Sequence, residues 1–272
     1  MLASNRLSLI CSRSKESVEK MAPRDQFKAF VQDIEVLSNQ ERVLVQISKL
    51  LGRGGFGSVY EGTFRGRKVA VKKMKTNSKN PHAVLQSIQA ETSKASFCHP
   101  HIVRTLAASS LDLPPSEGII VMEFAGTRTL HSILDNEKEL IDEERRIKFD
   151  SHIIIALDFV HGHGFVHLDL KPANILVDSR DICKLGDFGY IQIVDDGDAG
   201  SPTYSYLEGT FVYRAPEVLK GETPSPKADI YSLGICLWQL LTRERPYGSQ
   251  NWSAAELCLA SLRTIYDHVC QV

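Results

Sequence analysis

The sequence predicts an α+β, bilobal fold: a small lobe rich in β-strands, then a larger, mainly helical lobe. Runs of β-branched residues crowd residues 43–124, whereas the apolar segments that follow repeat with a helical period. Strands first and helices second describe two packed units, each closing its own core. A chain of 272 residues is long enough for both.

Residues 1–42 read as an N-terminal tail, partly disordered, ending in a short amphipathic segment over 27–37. From Val43 the pattern changes. Val43, Val45 and Ile47 alternate as in a half-buried strand, and Leu50-Leu51 leads into a glycine cluster. Val59-Tyr60-Glu61-Gly62 and Lys68-Val69-Ala70-Val71-Lys72 supply the next two strands, with turn chemistry at Arg65-Gly66 between them. Val84, Ile88 and Glu91 recur at about one helical turn, which predicts a helix over 82–95. Strands follow near 102–107 and 119–124, separated by the Pro114-Pro115 loop. Helices are predicted over 129–136, 143–161 and 228–241. The small lobe thus spans 43–122, a connection 123–127, and the larger lobe 128–272.

Composition narrows the function classes. Hydrophobic residues at 43% and charged residues at 24% are ordinary for a soluble globular chain. A formal net charge of -1 supplies no field to gather nucleic acid or an acidic membrane, so neither is expected as a partner. No apolar run approaches the roughly 20 residues that span a bilayer. The six cysteines are scattered without a C-x-x-C pair, which argues against a zinc site and for reduced thiols in the cytoplasm. Arg6, Arg13 and Lys15 resemble a transit peptide only weakly, because Leu7, Leu9 and Ile10 make a poor apolar face.

The chemistry begins at Leu51, followed by Gly52-Arg53-Gly54-Gly55-Phe56-Gly57-Ser58-Val59. This G-x-G-x-x-G-x-V turn lets backbone amides approach phosphate oxygens. A dinucleotide fingerprint needs a helix immediately afterwards, but Val59-Tyr60 and Val69-Ala70-Val71 demand strand. A P-loop is excluded because no Gly-Lys-Ser/Thr follows. Lys72 ends a V-A-V-K strand behind the glycines, placed to meet the α- and β-phosphates, and Glu91 on the next helix is its expected partner. The segment Val166-His167-Leu168-Asp169-Leu170-Lys171-Pro172-Ala173-Asn174 joins a helix to a strand. Asp169 would orient the substrate hydroxyl, Lys171 would neutralise the transferring phosphoryl group, and Asn174 would hold a second Mg²⁺. Asp187-Phe188-Gly189 follows another strand, with Asp187 as the carboxylate that bridges Mg²⁺ to the phosphates of ATP. Ala215-Pro216-Glu217 closes a segment containing Ser201, Thr203, Tyr204, Ser205, Tyr206 and Thr210.

With these motifs in this order, residues 43–247 resemble the eukaryotic protein kinase catalytic domain of serine/threonine type. The resemblance implies the bilobal kinase fold, ATP and Mg²⁺ as cofactors, and a protein substrate. It adds Ala70, Glu123 and Ala125 to the nucleotide site, Met122 as gatekeeper, and Asp229 as a buried brace for the catalytic loop. Lys171 and Thr210 match the serine/threonine signature. Leu168, where most kinases carry arginine, is similar to the Mos kinases, as are Met122-Glu123-Phe124 and Thr129-Leu130-His131. That family implies action in oocyte meiosis on a MAP kinase kinase.

Two departures carry expectations of their own. Leucine cannot donate to phosphate, so activity is expected not to depend on phosphorylation of Ser201, Thr203 or Ser205; the plainer reading is that Leu168 packs on its neighbours. After Pro246-Tyr247-Gly248 the family continues with further helices and an arginine that pairs with Glu217, which residues 253–272 do not clearly supply. The larger lobe therefore reads as incomplete, with Glu217 unpaired. The alternative to an active kinase is a truncated kinase-like scaffold or nucleotide-binding form of little activity. A small-molecule kinase is disfavoured by Thr210 and the Ala215-Pro216-Glu217 closure.

Overall fold

A computed structural model describes residues 35–37, 44–75, 81–94, 97–109, 118–194 and 211–248. The small lobe is a six-stranded sheet in the order β1-β5-β6-β4-β3-β2. Its strands are β1 (Glu35–Leu37), β2 (Val45–Arg53), β3 (Gly57–Phe64), β4 (Arg67–Met74), β5 (Thr105–Ser109) and β6 (Ile119–Glu123). Arg65 and Gly66 both take positive φ, at 50° and 72°, which is the paired left-handed geometry of a tight β3–β4 hairpin turn.

Strand periodicity divides the lobe's apolar residues between two faces. Along β6, Ile119 and Val121 pack with Leu37, Phe64, Val69 and Val71 on the outer side. Ile120 and Met122 point the other way, toward Met74, Val84 and Ile88, where α1 (Pro81–Ser93) covers the sheet. The same alternation sends Val69 and Val71 outward and leaves Ala70 and Lys72 on the α1 side.

The small lobe's sheet includes residues ahead of the expected boundary at residue 43. Within the segment assigned to the tail, Glu35–Leu37 forms β1 and pairs parallel with β5, and Leu37 is fully buried. The carboxylate of Glu35 accepts from Arg65, which fastens this edge strand to the β3–β4 turn.

The larger lobe carries α2 (Leu130–Leu134), α3 (Glu143–Gly162), α4 (Pro216–Leu219) and α5 (Pro226–Thr242). Asp142 caps α3 by accepting from the Arg145 amide, and Glu143 and Glu144 complement the dipole at that end. Ser225 caps α5, with Pro226 in the first turn. At its other end Arg243 takes φ 61°, and its guanidinium donates to the carbonyls of Ile133, Leu134, Asn136 and Glu139. These bonds tie α5 to the open C-terminal end of α2.

Short strands β7 (Arg128–Thr129), β9 (Ile175–Val177) and β10 (Cys183–Leu185) form a sheet, and β8 (Phe165–Val166) pairs with β11 (Gln192–Ile193). The loops leaving β8 and β10 are the ones that carry Asp169 and Asp187. Among the described residues no helix is long and apolar enough to cross a membrane.

Candidate active site

A cavity of about 210 Å³ opens between the lobes. Leu51, Gly52, Gly54, Gly57, Val59 and Ala70 roof it, Glu123 and Ala125 edge it, and Lys72, Glu91, Asn174 and Asp187 bring polar groups to its wall. Arg53, Gly55, Phe56 and Ser58, also expected to bind nucleotide, are not on that wall; Phe56 instead packs on the Tyr190 ring at 5.0 Å. Val103, Thr129, Leu176 and Gly186, which no sequence motif marked as nucleotide-binding, line it too, with Met122, Gly126, Thr127 and Ala173.

Register places Lys72 opposite Val59 on β3 and Ile120 on β6, in the middle of the sheet. Its ammonium donates to Glu91 Oε1 at 3.0 Å and to Asp187 Oδ1 at 2.7 Å. Burial alone would push this ammonium down; Asp187 and Glu91 outweigh it and hold Lys72 above the ordinary lysine range. Burial would likewise raise the Asp187 carboxyl, yet Lys72 keeps it well below the usual range, so Asp187 stays ionised.

The second cluster lies on the loop after β8. Asp169 accepts from Lys171 Nζ at 2.9 and 2.8 Å and from Asn174 Nδ2 at 2.7 Å. Its own amide donates to His167 Nδ1 at 3.2 Å, while His167 Nε2 faces the Gly186 carbonyl at 3.2 Å. Burial pushes His167 down, so the ring stays neutral and links the Asp169 loop to the strand that delivers Asp187. Asp229 on α5 is wholly buried and accepts from the amides of His167 and Leu168 at 2.7 and 2.8 Å. Its Oδ2 also meets His161 Nε2 at 2.8 Å. Leu168 sits at φ 64°, a conformation disfavoured for a side chain of its size, and Asp229 braces it there.

The donor set suits Mg²⁺. Asp187 offers an ionised carboxylate on the cavity wall, and Asn174, having committed Nδ2 to Asp169, has its amide oxygen available to a cation. Hard oxygen ligands, with the remaining positions left to phosphate and water, are what this ion takes.

A buried lysine absent from the sequence expectations completes the cluster. Lys94, fully buried just beyond α1, donates to the Val103 carbonyl at 3.0 Å and lies 3.5 Å from Glu91 Oε2. Its ammonium stands 4.0 Å over the ring of Phe188. Burial pushes its pKa down, only partly offset by Glu91.

Thr210 and the hydroxyl-bearing positions from Ser201 to Tyr206 lie outside the described residues, as do residues 249–272, where a partner for Glu217 was sought. Glu217 is half-buried, and among the described residues no ion pair includes it. The penalty of a fully buried lone carboxylate therefore does not apply to it.

A glycine-roofed cleft between a sheet lobe and a helical lobe, with a Lys–Glu–Asp ion cluster and an Asp–Lys–Asn loop beneath it, is the arrangement of the protein kinase class. The sequence model for the protein kinase domain matches residues 45–268, and the chain belongs to that family. It is similar to serine/threonine-protein kinase mos of Patiria pectinifera, 46% identical over 208 residues, 75% of this chain and 59% of that protein. The mos kinase of Xenopus laevis is 47% identical over 205 residues, 72% of this chain and 57% of that one. The proto-oncogene serine/threonine-protein kinase mos of Mus musculus is 41% identical over 211 residues, 74% of this chain and 62% of that one. The matched region thus spans about three-fifths of the length of these relatives.

Proposed function

We propose that this chain is a serine/threonine protein kinase that transfers the γ-phosphoryl group of ATP to a protein hydroxyl. The observation that supports it best is the joint placement of Lys72, Glu91 and Asp187 with Asp169, Lys171 and Asn174 at one cleft. Leu51, Val59, Ala70, Met122 and Leu176 give the cavity apolar walls suited to a purine. Lys72, held by Glu91, is the cation for the α- and β-phosphates. Asp169 orients the incoming hydroxyl and takes its proton, while Lys171 is close enough to balance charge on the transferred group. Asp187 and Asn174 would hold Mg²⁺, which when bound neutralises the β- and γ-phosphate oxygens.

Likeness to the mos kinases extends the proposal to a MAP kinase kinase as substrate, in the MAP kinase cascade of meiosis, and the scattered cysteines support a cytoplasmic location. Thermal melting with and without MgATP, beside Asp187→Asn, tests the nucleotide step. At a hundredfold excess over Kd the ligand adds about 2.7 kcal/mol, roughly 5–10 °C for a chain of this size. The wild type is expected to shift and the variant not. Phosphate transfer to a MAP kinase kinase tests the second step. A ligand shift without transfer to any protein would make the nucleotide-binding scaffold the correct reading, and no shift at all would remove the kinase reading.

A further inference from the structure

One face of α1 and the residue just beyond it meets Phe188 and Gly189 directly and is linked to Asp187 through Lys72. Ser87, Glu91 and Lys94 fall at helical spacing, four and then three residues apart, and all are buried. A Cβ placed on Gly189 would come within 2.7 Å of Ser87 Oγ, so this glycine lies directly against the helix. Glu91 reaches Asp187 through Lys72, and Lys94 covers the Phe188 ring. The two lysines divide Glu91 between them, Lys72 on Oε1 and Lys94 toward Oε2.

We propose that Lys94 is a positioning residue of the metal site: it holds Phe188 inward by its charge and thereby keeps Asp187 at the cleft. This rests on the kinase reading above. With Lys94 protonated, Lys94, Glu91, Lys72 and Asp187 form a chain of alternating sign; burial opposes that charge on Lys94, and the Glu91 carboxylate and the Phe188 ring face support it. Were Phe188 to swing out, Lys94 would lose its ring and remain buried with the Val103 carbonyl and one distant carboxylate oxygen. Leaving a buried cation poorly compensated opposes that swing. Phe188, fully buried and also edge-on to His167 at 4.6 Å, transmits the constraint to the loop that carries Asp169.

The test compares wild type with Lys94→Met, which keeps the length and apolar bulk but not the charge. Binding of the non-hydrolysable analogue AMP-PNP is measured by calorimetry in EDTA and again in excess Mg²⁺, alongside the melting temperature. Metal-free affinity is expected to stay within about twofold, while the gain on adding Mg²⁺ falls by roughly thirtyfold, the scale of one desolvated cation–π contact. An unchanged Mg²⁺ gain, whatever happens to the melt, would make Lys94 a packing residue and overturn the proposal. A wild type that binds no nucleotide would count against the kinase reading instead.

If Lys94→Met does not fold, the wild-type chain labelled at lysine Cε with ¹³C gives the answer. Lys68 is the other lysine near a ring among the described residues, 4.0 Å over Phe124, and being exposed it can be removed as Lys68→Ala for assignment. One upfield-shifted CεH₂ signal should remain and respond to Mg²⁺ added to the AMP-PNP complex. Absence of that signal, or its indifference to Mg²⁺, refutes the role.

Discussion

Replacing Asp229 by asparagine removes charge from a wholly buried group that receives two backbone amides and one imidazole. With the amide oxygen in the Oδ2 position the new NH₂ confronts the Leu168 N–H, and in the other orientation it confronts both the His167 N–H and His161. One charge-assisted hydrogen bond is lost, at about 1.5–3 kcal/mol, and a buried donor is left unsatisfied at about 1–3 kcal/mol. The combined cost of about 2.5–6 kcal/mol corresponds to a fall in melting temperature of roughly 5–24 °C at this chain length. A second consequence follows from Leu168. Its left-handed backbone is held through its own amide by Asp229, so loosening the brace lets the turn relax and move Asp169. The checks are scanning fluorimetry and single-turnover phosphate transfer. A variant melting within about 2 °C of wild type with an undiminished rate would show that the three bonds do not hold the loop.

Acid should weaken the fold through the stacked pair His101 and His152, whose ring centroids lie 4.0 Å apart. Burial, then His101, brings the His152 pKa down from 6.5 to about 4. The unfolded chain therefore binds a proton that the folded chain refuses, and stability falls as pH drops from 6.5 toward 4. His152→Asn, which can still accept from the Cys183 amide, should flatten that arm of a melting-versus-pH curve; an unchanged arm would place the acid lability elsewhere. In the glycine turn, a Cβ at Gly57 would sit 2.4 Å from the Lys73 carbonyl, whereas one at Gly52 meets nothing within 4 Å. Gly57→Ala should lower the melting temperature sharply and Gly52→Ala hardly at all; equal effects would contradict this packing. Alanine at Ser201, Thr203 and Ser205 together should change the rate of a purified sample by less than about tenfold, and a larger loss would mean that phosphate controls the segment.

The polar residues that meet at the cleft were legible because each is a fixed residue type at a fixed distance from others. Lys72, Asp169, Asn174 and Asp187 need no tertiary knowledge once the glycine turn precedes a strand. The start of α5 was less so: the sequence placed it at residue 228, although Ser225-Pro226 marks the helix entry that the structure uses. Lys94 was illegible, because a lysine at a helix end is nearly always solvated and only its burial against Phe188 and Glu91 identifies it. Strand β1 was hidden in the same way, since three residues at an edge show no alternation and their partner on β5 lies far along the chain. The expected strand at 102–107 is observed at Thr105–Ser109 because Ile102 and Val103 leave the sheet to meet Leu185 in the other lobe.

Leu168 shows how the catalytic loop is held without an arginine. It is 6% exposed and packs with Val166, Ala215, Val218 and Ala228, so an apolar contact joins the loop to the Ala215-Pro216-Glu217 turn and to the start of α5. Burying a leucine is worth about 1.5–3 kcal/mol, comparable with one or two of the charge-assisted bonds an arginine would make to a phosphate. The packing acts whether or not a phosphate is present, and it does not weaken with salt. The plainer reading of Leu168 is the observed one, in that the side chain packs, and the Ala215-Pro216-Glu217 turn thereby has an anchor to this loop that owes nothing to charge. The backbone that presents this side chain is the strained turn held by Asp229, so the apolar anchor and the buried carboxylate act on the same residue from opposite sides.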